Sequence, residues 1–375
     1  SIIILYIISK MSKANEKPAG LFLLEGISCM VFNKDFTQVA LSKKDNLIYI
    51  YSVKDFMKPD SWQLLHTLDS HVQYVSGLDW NAHTNEILSC SYDKTSFVWE
   101  FSNNKWTPSN VVVTTKLGYL CCKWNSRGDK FCEGTSSKHL YIGYYNTESK
   151  WWMGRNIKAH KSSVVTCEID PSSLFVISGS TDLRVYVSSC YIPAVDDSYI
   201  KDKSLAKEFG TPIYEFRPNS WLNSVTWTPS GNLGIAAAQN SIIAVINYKD
   251  SKTDEIKCKH SPVTKVIPSG DNSFYAVCYD RNIVEYEKKG DKWDIKRTIT
   301  TDTAKKSGPA AGGRGSAVSD ALKKFQTMGQ QKKENLAVTS KQSSHLHQSI
   351  ISSVNIKGKD MITTDVSGFV KYWKL

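Results

Sequence analysis

The chain lacks most of the devices that enzymes and secreted domains rely on. Its nine cysteines include no Cys-x-x-Cys, and the adjacent Cys121 and Cys122 would point to opposite faces of a strand. Neither a metal site nor a redox motif is therefore spelled out. Cys29, Cys90, Cys167 and Cys278 lie inside apolar runs, which reads as reduced core thiols of a cytosolic protein. There is no Gly-x-Ser-x-Gly elbow, no carboxylate pair at catalytic spacing and no glycine loop closed by Lys-Ser/Thr. Gly312-Gly313-Arg314-Gly315 is glycine-rich but follows no strand. We therefore expect no enzyme, no catalytic residue, no metal and no cofactor. The very apolar opening, Ser1 to Ile8, is too short at eight residues to span a bilayer. No basic segment precedes it and no small-residue cleavage site follows, so it does not read as a signal peptide. Met11-Ser12-Lys13 looks like an ordinary start, so residues 1–10 are expected to be upstream translation and residues 1–20 a disordered extension. Acidic residues are in deficit: 36 Asp and Glu against 47 Lys and Arg leave a net charge of +11. That excess favours acidic partners. The lysines are scattered with no RNA-recognition or zinc-finger pattern, so an acidic protein surface fits better than nucleic acid.

What the chain does have is repetition. The string Asp93-Lys-Thr-Ser-Phe-Val-Trp99 is a loop aspartate, a short strand and an aromatic residue six positions on. The same frame runs from Asp45 to Tyr51, from Asp280 to Tyr286 and from Ser367 to Trp373. Worn copies run from Ser137 to Gly143, Asp182 to Ser188 and Asn240 to Ile246. Most are spaced about 40 to 60 residues apart, the period of the WD-type repeat, whose units are four-stranded propeller blades. A blade cannot bury both faces alone, so the repeats must close into one ring. The expected fold is all-β, a seven-bladed propeller over residues 21–375. Its blades are read from Ile27 to Tyr51, His71 to Phe101, Gly118 to Tyr145, Val164 to Ser188, Leu222 to Tyr248, Val263 to Glu287 and Ile350 to Lys374. The last blade is one strand short, and Leu21 to Glu25 can supply it, removing an exposed sheet edge.

In such blades a histidine and a turn aspartate are linked through a hydroxyl to the final tryptophan. His71, Ser89 or Ser91, Asp93 and Trp99 could form this network in blade two. His160 with Asp182 and His260 with Asp280 are further pairs. They are not a hydrolase triad, because the set recurs at the repeat period and an active site occurs once.

One segment breaks the period. Between Ile299 and Leu346 the chain is polar and basic, with eight Lys/Arg against three Asp/Glu, the composition of a flexible insert at 300–346. Inside it, Ser319 can cap a short helix over about 319–333, with Asp320 in the first turn and lysines in the last. Ala321, Leu322, Phe325 and Met328 share one side of it. This stripe docks either on the propeller rim or in a hydrophobic groove of a partner.

The chain resembles the WD-repeat propeller subunits (subunit 1) of the actin-related protein 2/3 complex, the actin branch nucleator. The resemblance rests on Ile27-Ser-Cys with Asn33-Lys-Asp-Phe-Thr-Gln38, on Asp79-Trp80 through Val98-Trp99, and on Trp151-Trp152 followed by Ile157-Lys158. It extends through Ser188-Ser-Cys-Tyr-Ile192 and the insert's Ala321-Leu-Lys-Lys-Phe-Gln326. It implies a scaffold without catalysis of its own, packed on the complex's other subunits including an actin-related protein. It also implies that Leu322, Phe325 and Met328 fill a groove of mother-filament actin while Lys323 and Lys324 face its acidic surface. The acidic tail of nucleation-promoting factors would lie nearby, and the location would be cytoplasmic, at the cortical actin cytoskeleton. Lysine stands where that family's helix commonly has arginine, and blades three and five have lost most of the polar set. A ubiquitin-ligase substrate receptor, or another general interaction scaffold, is the competing class. Its usual Trp-Asp-x-Arg ending is missing, since Trp99 is followed by Glu100-Phe101 and Trp373 by Lys374-Leu375.

Overall fold

The computed structural model describes residues 21–22, 26–56, 58, 61–200, 202, 204, 206–299, 347 and 349–375. Consecutive strands pair antiparallel into seven four-stranded sheets, covering residues 29–69, 75–110, 119–157, 164–216, 222–257, 263–299 and 351–374. The seventh has three strands of its own and takes its fourth from the other end of the chain. There Leu21 lies opposite Val370 and Phe22 opposite Phe369. The fold is a closed seven-bladed propeller.

Position in the blade dictates composition. The second strands are flanked on both faces by neighbouring blades, and Ile87–Ser91, Lys130–Thr135, Phe175–Ser180 and Gly234–Ala238 are buried at every residue. Three of them read as continuous apolar or small-residue runs, not as alternation, while Lys130–Thr135 also buries Lys130 and Glu133. Small residues stand where adjacent blades come closest. A Cβ on Gly134 would lie 2.5 Å from the Val164 carbonyl oxygen, and one on Gly179 would lie 2.8 Å from Leu222 Cβ. The core is divided among the gaps between blades. Ala40, Ile48 and Ile50 of blade one, for example, pack on Val75, Trp80 and Ile87 of blade two.

The first strands line the central channel, and six of the seven carry a β-bulge near the start, as at Val75/Gly77, Tyr119/Cys121 and Leu222/Ser224. The extra residue turns a polar side chain toward the next blade. Ser76 Oγ donates to Tyr119 O at 2.8 Å, and Asn223 Nδ2 donates to Val263 O at 2.8 Å. At the seam between blades seven and one, Ser353 Oγ accepts the Met30 N–H at 3.1 Å and Lys44 Nζ reaches Val366 O at 2.7 Å.

The expected blade bounds stop at the third strand, whereas every blade has a fourth, outer one. These strands have a largely solvated edge and little apolar signal. Lys252–Lys257 and Lys292–Ile299 are charged, and Lys105–Asn110 carries Pro108, all devices that discourage edge pairing. Blade three is covered instead. Val112 runs parallel beside Met153, donating its N–H to Trp152 O at 2.8 Å and accepting from Gly154 N at 3.3 Å.

Candidate functional site

The polar residues singled out by the repeat meet as hydrogen-bonded staples. In blade two, His71 Nδ1 lies 3.2 Å from Asp93 Oδ2, His71 Nε2 lies 2.8 Å from Ser89 Oγ, and Trp99 Nε1 donates to Ser89 Oγ at 2.8 Å. The Asp93 carboxylate can only accept, so His71 is the tautomer carrying its proton on Nδ1, and Ser89 donates to Nε2. Burial depresses the His71 pKa, which keeps the ring neutral. Ser89 is thus the link; Ser91 instead donates to Gln73 O at 3.1 Å and accepts the Asp93 N–H at 3.1 Å. Burial alone would raise the Asp93 pKa, but bonds from Thr95, Val72 N–H and His71 hold it below the usual carboxylate range.

Blade four repeats the arrangement without its aromatic end. His160 Nδ1 is 3.1 Å from Asp182 Oδ2 and Nε2 is 2.9 Å from Ser178 Oγ, but Ser188 stands where the tryptophan would be. Its hydroxyl is buried without a partner among the described residues. In blade six His260 and Asp280 meet at 3.2 Å, partly exposed; Ala276 stands where Ser89 would be, so the hydroxyl is missing, and Asn282 Nδ2 lies 3.4 Å from the same His260 Nδ1 that faces Asp280.

The best-buried staple is one the repeat frame misses. His347 Nδ1 is 3.1 Å from Asp365 Oδ2, His347 Nε2 is 2.5 Å from Thr363 Oγ1, and Trp373 Nε1 donates to Thr363 Oγ1 at 2.6 Å. The frame placed the turn residue at Ser367, but here the carboxylate comes from the strand end two positions earlier. Asp365 accepts the Ser367 N–H and hydroxyl, the reverse of the Ser91/Asp93 arrangement. The hydroxyl-to-tryptophan spacing of ten, shared by Ser89/Trp99 and Thr363/Trp373, would have found it.

A second group has no sequence signal at all. Lys130 is fully buried, and its ammonium donates to Ser173 O at 2.6 Å, Cys190 O at 3.0 Å and Asp196 Oδ2 at 2.7 Å. All three donors are satisfied, the condition under which a buried charge is tolerated. Asp196 ends a one-turn helix, Pro193–Asp196, and also pairs with Arg127, whose guanidinium lies 4.3 Å over the Tyr199 ring. These contacts lock residues 190–199 of blade four onto blade three.

None of these sets resembles a reaction centre. The staples point inward between strands, and among the described residues no cluster of three or more His, Cys, Asp or Glu is placed to hold a metal ion. No described helix is long and apolar enough to cross a membrane. All nine cysteines are free thiols, with Cys121 facing Cys167 at 3.5 Å and Cys122 turned toward Gly77 and Cys90. The Trp151-Trp152 pair divides its work: Trp152 is buried against Trp124 and Phe131, and Trp151 is exposed. The insert residues Ala321, Leu322, Lys323, Lys324, Phe325 and Met328, and the expected helix at 319–333, lie outside the described residues.

Two segments, 62–100 and 152–187, match the family model described as WD domain, G-beta repeat. Each match starts in or just before the outer strand of one blade and covers the three inner strands of the next. The chain is similar to Actin-related protein 2/3 complex subunit 1B of Arabidopsis thaliana, 29% identical over 94% of each protein. It is 29% identical to subunit 1A-A of Xenopus laevis over 69% of this chain and 70% of that protein. It is 22% identical to subunit 1 of Schizosaccharomyces pombe over 76% of each. The chain is a WD-repeat β-propeller similar, over 69% to 94% of its length, to these proteins named subunit 1 of the actin-related protein 2/3 complex.

Proposed function

We propose that this chain is the propeller subunit of an actin-branching complex of the actin-related protein 2/3 type, a scaffold with no catalysis of its own. The observation that carries this reading is a similarity spanning 94% of both chains, which matches the whole architecture and not merely a shared repeat. Its partners are the other subunits of such a complex, including an actin-related protein, and its place is the cytoplasmic actin cytoskeleton. In this reading the insert at 300–346 contacts mother-filament actin, with Leu322, Phe325 and Met328 as apolar contacts and Lys323 and Lys324 facing acidic actin surface. The basic charge of +11 suits the acidic tail of nucleation-promoting factors as a further partner.

The test of membership is a tagged pull-down from native cytosol, sized by gel filtration and identified by mass spectrometry. Recovery in stoichiometric amount with two actin-related proteins and several small subunits is expected. Recovery alone, with ubiquitin-ligase subunits or with RNA would overturn it. For the insert, Leu322→Asp together with Phe325→Asp should leave the complex assembled and lower branch formation several-fold in a pyrene-actin and microscopy assay. Normal branching by that double variant would remove the filament contact from the model of function.

A further inference from the structure

One face of the propeller gathers exposed lysines over blades two to four. This face carries the turns between second and third strands and, among the described residues, the connections between successive blades. Its parts are tied together: Thr115 Oγ1 and Ser137 Oγ are 3.0 Å apart, and Ser163 Oγ donates to Ser136 O at 3.2 Å. Across blades two to four this face presents Lys94, Lys116, Lys138, Lys158 and Lys161, all exposed. Among the described residues none of the five has a carboxylate within 4.0 Å. The acids that the turns do carry are turned inward: the side chains of Asp93 and Asp182 are 1% and 6% exposed, held by His71 and His160. The His139 ring feels the result. Burial first, then Lys138, Lys158 and Lys116, depress its pKa, so the three ammonium groups crowd one imidazole with no compensating anion.

Like charges gathered this way oppose folding, and nothing in the blade needs them. The same face carries seven of the fourteen large apolar side chains that the described residues expose, among them Val72 at 80%, Leu117 at 50% and Trp221 at 60%. Leu117 adjoins Lys116 in the chain, so the apolar and cationic tips are interleaved. The cations are lysines on separate loop tips, not arginine forks with buried supporting donors. That layout suits a diffuse layer of negative charge better than one oriented carboxylate.

We propose that this face docks on an anionic lipid surface, its lysines among the headgroups and Val72, Leu117 and Trp221 in the interfacial layer. The inference goes beyond complex membership and does not depend on it. The full chain should co-sediment with phosphatidylcholine vesicles containing about 30% phosphatidylserine, not with phosphatidylcholine alone, and should be released by about 0.5 M salt. Lys116→Glu, Lys138→Glu and Lys158→Glu together should weaken binding about tenfold or more, and Leu117→Ser alone severalfold. The same charge change on the opposite face, Lys54→Glu, Lys105→Glu and Lys252→Glu, should cost far less, with circular dichroism confirming that both variants are folded. Equal losses in the two triple variants would reduce the effect to net charge and overturn the proposal. So would failure of the unaltered chain to bind phosphatidylserine vesicles. Capture instead of a labelled Asp/Glu-rich peptide, lost in the Lys116/Lys138/Lys158 variant, would assign the face to an acidic protein segment.

Discussion

Glu133 sits fully buried on the second strand of blade three, with Ser96 Oγ donating to one carboxyl oxygen and the other oxygen without a partner among the described residues. Burial pushes its pKa up to about 8, so at neutral pH the folded protein holds it protonated. A group raised in this way contributes stability that is complete below its unfolded pKa of about 4.3 and is lost as pH rises toward 8. Replacing the acid by its neutral isostere removes that cost. Glu133→Gln should raise the melting midpoint at pH 8 by roughly 2 °C or more, and the gain should vanish near pH 4. Scanning calorimetry at both pH values checks this, and an equal gain at both would show that charge is not the cause. Lys130 is the contrasting case, a buried charge whose every donor is met. Its partners lie 43 to 66 residues further along the chain, too far for any local pattern to announce them.

The strands differ in how plainly the chain announces them, and the difference is physical. Inner strands such as Val75–Trp80 and Ile87–Ser91 are flanked by turns and filled with apolar or small residues because neighbouring blades cover them. Outer strands such as Lys252–Lys257 bury almost nothing, so no hydrophobic period marks them and the sequence-read blades end one strand early. The staple of blade seven escaped because Asp365 and Ser367 exchange the places held by Ser91 and Asp93. The repeat counts positions, whereas the hydrogen bonds need only a carboxylate within reach of the histidine. Ring closure is an element of two residues. A chain beginning at Leu23 should lose the pairing of Leu21 and Phe22 with the last strand and leave that strand's edge bare. Relative to a chain beginning at Gly20, it should melt several degrees lower and scatter more light on storage. Equal melting and scattering would mean that the seam contacts of Met30 and Lys44 suffice for closure.

At the scale of the whole propeller, the staples act together on the response to acid. Burial lowers the pKa of His71 and His347 below the unfolded value of about 6.5. The stability they supply is therefore present above that value and is lost as pH falls through their folded pKa values. Asp93, Asp182 and Asp365 are also held low, by bonds that outweigh the opposing effect of burial. Their contribution is lost at still lower pH. Thermal stability should be flat on this account above about pH 7 and fall in two stages, below roughly pH 6.5 and again below roughly pH 4. His347→Gln should flatten the first stage more than His260→Gln, because His260 is partly exposed and its staple has no hydroxyl. A single acid transition unaffected by either change would assign the loss to the carboxylates alone.

Chain connectivity gives the staple of blade seven a mechanical meaning. Anything gripped between residues 299 and 347 is anchored to the ring at two points, Ile299 at the end of an outer strand and His347 at the first staple of the closing blade. Tension would reach His347, Thr363 and Asp365 before any other hydrogen bond of that blade, and the strand they hold is the one clasped by Leu21 and Phe22. The point where the insert rejoins the ring and the clasp that closes the ring thus lie in the same blade.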